Sequence, residues 1–303
     1  EESIVEVDLL GRSTGNSWKV PGGLHHDARE LPNGNFLALS SAEDSFYDAV
    51  VEIHRESGEI VDVWDFREII DSERPVQPAN LDEADWFHLN AVIYDEEDDA
   101  LIVSGRDQSA VVKVGRESHE LIWILGNHEK WSPRFEEYLL SPVGEDFEWQ
   151  WGQHAPMLHP GNNSRILLFD NGNKRSYDDP LAAEENYSRA VEYEVDEERG
   201  TVRQLRQYGR ERGSELYAPF IGDADYLPGE NRLVCFGGIT RNLQGEATEI
   251  FDFEQERVRK MKISAHIVEV SSEQPARVVR EIVIDDDDPD SYRFVGETEY
   301  TGG

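Results

Sequence analysis

Apolar residues recur along the chain in two patterns, and both are typical of antiparallel β-strands. Short unbroken runs such as "FLALS" (36–40) and "ALIVSG" (100–105) each follow a turn rich in Pro, Gly, Asn or Asp. Other segments, such as "AVVEIHRESGEIVDVWDF" (49–66), alternate apolar with polar positions, as strands with one buried face do. The pattern therefore predicts β-hairpins along the chain.

These hairpins form a repeat of four strands. The first hairpin of each repeat covers 24–40, 87–105, 153–170 and 219–237, and the second covers 49–66, 110–126, 189–208 and 267–284. Alignment on Leu31, Tyr94, Leu158 and Leu227 gives intervals of 63, 64 and 69 residues. Repeated units of four antiparallel strands are typical of β-propeller blades. The repeats are longer than ordinary blades, and the extra residues lie in connecting loops at 67–85, 127–150, 172–188 and 238–250.

One further hairpin, at 3–20, matches the second half of a blade. We therefore predict an all-β fold, namely a single β-propeller domain over 1–303 with four complete blades and one half blade. A closed ring needs more chain, or strands supplied by the tail at 291–300. We accordingly expect the chain to be the C-terminal portion of a longer protein. A solenoid or a sandwich is the alternative, and the four-strand repeat favours the propeller.

Polar residues occupy equivalent positions near the start of each repeat. His25 and His88 lie six residues before the alignment points of their repeats. The residues four before the four alignment points are Asp27, Asn90, His154 and Asp223. Side chains two apart on a strand share a face, so all six are expected to point toward one mouth of the propeller's central channel. Convergent polar groups in a cleft mark a binding or catalytic site. His26 has the opposite parity and is expected to face a neighbouring blade as a structural hydrogen-bonding group.

Arg106 lies outside this repeat of polar positions. It stands in the turn between the second and third strands of its repeat, directly after Gly105, which is expected to permit an unusual backbone conformation. One interpretation is an exposed ion pair with Asp107, which would contribute little to stability. The other is a fork of donors aimed at an anionic oxygen over the mouth.

The charge of the chain restricts its partners and its setting. There are 64 acidic residues against 29 basic ones, for a formal net charge of −35, and only six of the basic residues are lysine. An acidic, lysine-poor composition favours a protein adapted to high salt, where self-repulsion is screened, and an ordinary acidic protein is the alternative. In both cases we expect no nucleic-acid partner, because nothing here would neutralise phosphates in bulk.

Several chemical motifs are missing from the sequence. It contains neither H-E-x-x-H nor C-x-x-C, and no G-x-S-x-G elbow or phosphate-binding glycine loop. We therefore expect no metal and no cofactor, although three histidines from different blades could still form a metal site. No window approaches 18 apolar residues, so no membrane span is predicted in this chain, and an anchor in a segment outside it stays open.

Three motifs together carry a resemblance to a known family. They read "HHD…LPNGN", "WFHLNAV…SGRDQSAVVKV" and "WGQHAP", and the arginine of "SGR" follows the histidine of "HLN" by eighteen residues. Residues 22 to 170 thereby resemble the bacterial and archaeal arylsulfate sulfotransferases, and the final repeat resembles them more loosely. The resemblance implies a six-bladed propeller with its active site over the central channel. It also implies transfer of a sulfuryl group from a phenolic sulfate ester to another phenol, without a nucleotide donor.

The resemblance also implies roles for individual residues. By position, His154 would be the nucleophile that becomes transiently sulfated, while His88 and Arg106 would hold the sulfonate oxygens with Asn90 beside them. A histidine of "HHD" would complete the cluster; the register favours the first, and the family's pattern also admits the second. The chemistry suits these residues, because a neutral imidazole is a competent nucleophile and sulfuryl transfer needs positioning and positive donors.

We therefore predict an extracytoplasmic arylsulfate sulfotransferase with ping-pong kinetics, related to a salt-adapted archaeal or bacterial lineage. Its partners would be a small aryl sulfate donor and a phenolic or other hydroxyl acceptor, and Asp27 and Asp223 would join Asn90 in binding them. A homodimer stays open. The alternatives are a non-catalytic propeller that binds a sugar or protein at the same mouth, and a metal-dependent hydrolase or lyase that uses the histidines.

Overall fold

The computed structural model describes residues 2–41, 48–77, 85–249 and 261–285. The hairpin predicted at 3–20 is confirmed as a two-stranded antiparallel sheet of β1 (Ser3–Val7) and β2 (Ser13–Lys19). The tail at 291–300, which was expected to supply strands for ring closure, lies outside the described residues. Within the described ranges, no helix is long and apolar enough to cross a membrane.

Four larger sheets follow, and each corresponds to one predicted repeat. The first contains β3 (Ala28–Glu30), β4 (Phe36–Ser40), β5 (Ala49–Ile53) and β6 (Ile60–Asp65), and the second contains β7 (Leu89–Asp95), β8 (Ala100–Gly105), β9 (Ala110–Gly115) and β10 (Leu121–Gly126). The third contains β11 (Ser141–Val143), β12 (His154–His159), β13 (Asn162–Asp170), β14 (Arg189–Asp196) and β15 (Thr201–Tyr208). The fourth contains β16 (Asp223–Tyr226), β17 (Arg232–Arg241), β18 (Lys262–Val270) and β19 (Val278–Asp285).

Helices are short and lie in the connections between strands. A four-residue α-helix, α1 (Phe66–Ile69), follows β6, and Asp65 caps it by accepting a hydrogen bond from the Arg67 backbone N–H. Three 3₁₀ helices span Pro133–Tyr138, Ala183–Glu185 and Arg210–Leu216. These connections carry the extra length that the repeat intervals indicated.

Two of the predicted loops contain strands. Within 127–150, β11 pairs in parallel with β15 and adds a fifth strand to the third sheet. The segment 238–250 begins inside a strand, because β17 continues to Arg241. The strand β11 leaves no alternation to identify in the sequence, since it has only three residues and its pairing partner is remote in the chain.

The apolar core lies between neighbouring sheets, so the sheets pack face to face as propeller blades. In β4, Phe36 and Ala38 pack toward the half blade, whereas Leu37 and Leu39 pack toward the second sheet. The same division by strand alternation continues around the molecule. The strands β3, β7, β12 and β16 contact one another in succession and form the inner layer. The prediction of an all-β propeller is confirmed.

A buried charged residue in the third strand of each of the first three blades forms an ion pair with the next blade. Glu52 of β5 accepts from Arg116 at 3.0 Å, and Glu192 of β14 accepts from Arg232 at 2.8 Å. In the second blade the sign is reversed: Lys113 of β9 contacts Glu197 at 2.7 Å. Burial makes such pairs costly to break, because removal of one partner leaves an uncompensated charge. These ion pairs therefore help to hold the blades in a defined relation.

Replacement of Lys113 should destabilise the fold strongly. Its ammonium group lies 2.9 Å from the fully buried carboxylate of Asp95, so Lys113→Met should lower the free energy of unfolding by about 3–5 kcal/mol. The control is Lys130→Met, since Lys130 pairs with Asp178 at the surface and should cost less than about 1 kcal/mol. Urea unfolding followed by tryptophan fluorescence measures both; equal losses would contradict the role of the buried pair.

Candidate active site

Four imidazole rings from three blades meet at one end of the inner strands. The ring centres of His25 and His26 are 3.9 Å apart, and the ring of His88 lies 4.8 Å from the first and 5.2 Å from the second. The ring of His154, from the third blade, lies 6.1 Å from that of His26. We call these four residues the histidine cluster. The structure thus brings together the three histidines expected to converge, and adds His26 to them.

Local backbone turns, rather than strand alternation, place three of these rings. His25 and His26 precede β3, and His88 precedes β7. The φ angles of His26 and His88 are 54° and 51°, in the left-handed region that non-glycine residues seldom adopt. The expectation that His26 faces a neighbouring blade is therefore wrong, because a left-handed residue interrupts the alternation on which that expectation depended. Such backbone conformations are often found at functional sites.

The buried side chain of Gln153 ties the start of β12 to the second blade. Its amide nitrogen donates to three acceptors there, at 3.0 to 3.1 Å: Ser104 Oγ and the carbonyl oxygens of Gly105 and Ala110. His154 follows Gln153 directly in the chain. The position of its ring relative to the second blade therefore depends on these hydrogen bonds.

His88 is buried between two carboxylates. Its Nδ1 hydrogen-bonds to Asp85 Oδ2 and lies 4.0 Å from Asp107 Oδ2. Burial by itself lowers the pKa of His88, but the hydrogen bond to Asp85 and the negative charges of Asp107 and Asp85 outweigh burial, so the pKa is raised. His88 therefore favours the imidazolium form more than a free histidine does.

Arg106 occupies the turn between β8 and β9, where it is 5% exposed. Its Nη1 donates to Asp107 Oδ1 at 2.6 Å, as the ion-pair interpretation expected. Both partners are buried, however, so the pair is not the exposed surface pair of that interpretation. Burial raises the pKa of Asp107 to about 6, although Arg106 and His88 act to lower it.

Gly105 is needed for close packing and not for backbone freedom. A Cβ atom at this position would lie 1.8 Å from the ring of Phe87, and its backbone is outside the left-handed region. The expectation of an unusual backbone conformation at Gly105 is therefore wrong. The close approach lets Phe87 pack directly beside the turn that carries Arg106.

His154 lies at the start of β12 and contacts Asn171, which follows β13. The distance from His154 Nδ1 to Asn171 Oδ1 is 2.7 Å. Burial and then the positive charge of Arg106 lower the pKa of His154 to about 3, so its ring is neutral at ordinary pH. A buried neutral imidazole thus lies close enough to a guanidinium to feel its field.

The two histidines before β3 are also held in the neutral form. His25 Nδ1 lies 3.1 Å from the carbonyl oxygen of Leu89 and 3.0 Å from Nδ1 of His26. Burial and then the charge of His88 lower the pKa of His25 to about 3. Burial and then the neighbouring charges of His25 and His88 lower the pKa of His26 as well. His26 is the most exposed of the four residues, although its ring packs among the other three.

The three other predicted site residues differ in their placement. Asn90 is buried, donates to the Gln153 carbonyl at 2.8 Å, and its Oδ1 has no hydrogen-bond partner among the described residues. Asp27 accepts from the Val92 backbone N–H at 3.1 Å and pairs with Arg29. Asp223 is exposed on β16. Among the described residues neither carboxylate hydrogen-bonds to an imidazole of the cluster. Asn90 is linked to His154 through the carbonyl of its neighbour Gln153, and Asp27 is linked to His25 through its backbone N–H.

Two groups of residues have a spacing suited to a metal ion. They are His25, His26 and His88, and Asp85, His88 and Asp107, and within each group the candidate ligand atoms lie within 4.8 Å of one another. His88 belongs to both, so the two groups cannot be used together. Arg106 pairs with Asp107 of one group and its charge lowers the pKa of His26 in the other, so a divalent cation in either group would be repelled by a buried positive charge. The arrangement therefore suits an anion better than a metal.

Three buried residues of the site were not predicted: Asp85, Asp107 and Asn171. Asp85 stands three residues before His88, a spacing that could have suggested a carboxylate partner for the ring. The sequence indicates Asp107 only as a surface partner of Arg106. Asn171 is 17 residues from His154, and nothing in the sequence pattern connects the two.

Comparisons with known proteins agree with the motifs of this site. The family model for the arylsulfotransferases (ASST) matches residues 1–293. The chain belongs to this family. A relative from Escherichia coli O6:H1 (strain CFT073), named arylsulfate sulfotransferase AssT, is 28% identical over 318 residues, which cover 84% of this chain and 51% of that protein. A relative of the same name from Lelliottia amnigena is 29% identical over 295 residues, covering 77% and 48%.

The chain spans about half the length of these curated relatives. Among solved structures, a protein of unknown function from Bacteroides caccae is similar, with a TM-score of 0.49 and 14% identity. The match covers 93% of this chain and 74% of that one. At this level the likeness carries no argument about function.

The ring signals of His25 and His154 should not titrate between about pH 8 and pH 5, because an ordinary histidine has a pKa near 6.5 and these two have values of about 3. Histidine-selective ¹⁵N NMR measures this, with His25→Gln and His154→Gln identifying the signals. The unfolded chain takes up these two protons below about pH 6.5 and the folded chain only near pH 3, so both rings reduce stability as the pH falls through that window. A midpoint above about pH 5 for either ring would contradict the neutral cluster.

Proposed function

We propose that this protein transfers a sulfuryl group from an aryl sulfate ester to a hydroxyl acceptor through a sulfated His154. The observation that carries the proposal is a contrast inside the cluster: a buried neutral imidazole lies beside the buried cation Arg106, with His88 between two carboxylates. Such an arrangement supplies a nucleophile and positive charge for the oxygens of a sulfate ester. Family membership and the name of the curated relatives support this class of reaction.

In the first half-reaction, a ring nitrogen of His154 attacks the sulfur atom. The bond between sulfur and the aryl oxygen breaks, and its electron pair leaves on the phenolate. Arg106 stabilises the sulfuryl oxygens, on which charge is concentrated in the transition state. His88 in its protonated form hydrogen-bonds to the same group and can give its proton to the departing phenolate. The products are a phenol and a sulfated histidine.

In the second half-reaction, the oxygen of an acceptor hydroxyl attacks the sulfur atom on the sulfated His154. The bond between sulfur and nitrogen breaks, the imidazole recovers its electron pair, and the acceptor proton returns to His88. Both half-reactions use one site, so ping-pong kinetics follow. Activity should fall as the pH rises through the raised pKa of His88, because the proton donor and one positive charge are then lost.

The two alternative functions have less support. A metal-dependent hydrolase or lyase would need a divalent cation within the field of Arg106. A non-catalytic binding propeller gives no reason to hold a neutral histidine within the field of the buried cation Arg106, whereas a reacting anion needs both groups.

We infer that the donor and acceptor are small molecules that meet the protein outside the cytoplasm, and that the protein works at high salt. The net charge of −35 supports work at high salt, because salt screens the self-repulsion of a highly charged protein more strongly as its concentration rises. Assays should therefore be run at both low and high ionic strength.

Mixing with an aryl sulfate should load one sulfuryl group onto His154. Intact mass spectrometry of the rapidly quenched protein should show a gain of about 80 Da, which is absent in His154→Ala and present in His159→Ala, a variant of a histidine at the other end of the same strand. The donor is 4-nitrophenyl sulfate without added nucleotide or acceptor. Equal gains in His154→Ala and the unaltered protein would place the sulfated residue elsewhere.

Replacement of Arg106 by lysine should reduce turnover while retaining a positive charge. The planar fork of the guanidinium is lost, so we expect kcat/KM to fall about 10²- to 10³-fold for 4-nitrophenyl sulfate. Arg199→Lys is the control, because Arg199 pairs with Asp196 on the surface. Full activity in Arg106→Lys, with circular dichroism unchanged, would exclude a role for the guanidinium fork in binding the sulfuryl oxygens.

A further inference from the structure

Asn171 lies directly after β13 and is fully buried. Its side-chain oxygen is the hydrogen-bond partner of His154 Nδ1, at 2.7 Å. The proposed reaction does not by itself explain this contact. An amide oxygen carries no charge and takes no proton at ordinary pH, so Asn171 can affect the chemistry only through the state of the histidine ring.

The orientation of the Asn171 amide is set by the segment that leads into the fourth blade. Its Nδ2 donates to the carbonyl oxygen of Ala218 at 2.9 Å. Its backbone carbonyl accepts from Ser188 Oγ at 2.7 Å, and the same hydroxyl accepts from the Ala218 N–H at 2.8 Å. A rotation of the amide by 180° would place its NH₂ group against His154 and its oxygen against the Ala218 carbonyl. The second contact would be repulsive, so the observed orientation is the stable one.

This orientation determines which nitrogen of His154 carries the proton. Asn171 Oδ1 can only accept a hydrogen bond, so Nδ1 of His154 must donate. In a neutral imidazole the proton sits on one nitrogen and the lone pair on the other. The lone pair is therefore on Nε2, on the side of the ring that faces away from Asn171.

We propose that Asn171 is a positioning residue that holds His154 in the Nδ1-protonated form and thereby makes Nε2 the nucleophile. This inference rests on the proposed function for its chemistry and on the hydrogen bonds alone for its structure. When Nε2 forms the bond to sulfur, the aryl oxygen leaves with the electrons of the broken bond. The proton stays on Nδ1, because Asn171 is no base, and the ring becomes a sulfated imidazolium.

An amide partner suits this intermediate better than a carboxylate would. A positively charged sulfated ring is a better leaving group than a neutral one, so the proton held on Nδ1 favours transfer to the acceptor. A carboxylate at position 171 would stabilise that positive charge and slow the second half-reaction. The chain thus separates two tasks: Arg106 and His88 act on the sulfuryl oxygens, and Asn171 acts on the ring.

Two substitutions and one control separate this role from a structural one. Asn171→Leu removes the acceptor, and Asn171→Asp keeps an acceptor but adds charge. Asn173→Leu is the matched control, because Asn173 is also buried and donates to the same segment, at the Pro219 carbonyl, without contact to His154. The readouts are the ¹⁵N NMR signals of the His154 ring in the resting protein and the rate of the nitrophenolate burst from 4-nitrophenyl sulfate.

In the unaltered protein and in Asn173→Leu, we expect His154 to have a protonated Nδ1 and an unprotonated Nε2. Asn171→Leu should show a mixture of the two tautomers and a burst about 10²- to 10⁴-fold slower. Asn171→Asp should keep the Nδ1 proton and the burst, but transfer to an added phenol should slow at least about tenfold.

Two results would overturn the inference: a proton on Nε2 in the unaltered protein, or an Asn171→Leu variant with the tautomer and burst rate of the Asn173→Leu control. If Asn171→Leu does not fold, the tautomer of His154 in the unaltered protein and the kinetics of Asn171→Asp still test the inference. The NMR result needs no turnover. An Nδ1-protonated ring in a protein that never becomes sulfated would therefore refute the proposed function and leave the positioning contact intact.

Discussion

The hydrogen bonds of the Gln153 amide are the interaction on which the site depends. The histidine cluster draws on three blades, so its geometry exists only if those blades are held in a defined relation. Gln153 joins the third blade to the second by donating to a hydroxyl and two backbone carbonyls that have no role in chemistry. Because all these groups are buried, breaking the junction would leave several of them unsatisfied. His154 is the next residue, so the same hydrogen bonds restrict the position of its backbone.

Burial then determines the charge of each group in the site. Two carboxylates, Asp85 and Asp107, offset the cost of burying the cationic forms of His88 and Arg106. His154 has no carboxylate partner of this kind, and burial and the charge of Arg106 outweigh its hydrogen bond to Asn171, so its ring stays uncharged. Residues of the same type thus acquire opposite protonation states a few ångströms apart. A protein that handles a sulfate ester needs this separation, since the nucleophile must be neutral while the oxygens meet positive charge.

Much of the fold could be predicted from the sequence, because strand alternation and turn residues are local signals. The four repeats and the half blade at 3–20 became sheets with nearly the expected bounds. The strand β11 was missed because its three residues are defined by a partner 60 positions away, Ser141 opposite Thr201. His26 was misplaced for a related reason, since a single left-handed residue reverses a face assignment and leaves no trace in the apolar pattern.

The sequence by itself determined the blade repeat, the excess of acidic residues, and the positions of the histidines and Arg106 near the starts and turns of strands. These follow from residue type and spacing, which act over a few neighbours. Only the tertiary structure decided that His26 joins the cluster, that Arg106 and Asp107 are a buried pair, and that Asn171 contacts His154. Burial and contacts between blades are properties of the packed molecule, so protonation states and hydrogen-bond partners follow from the fold.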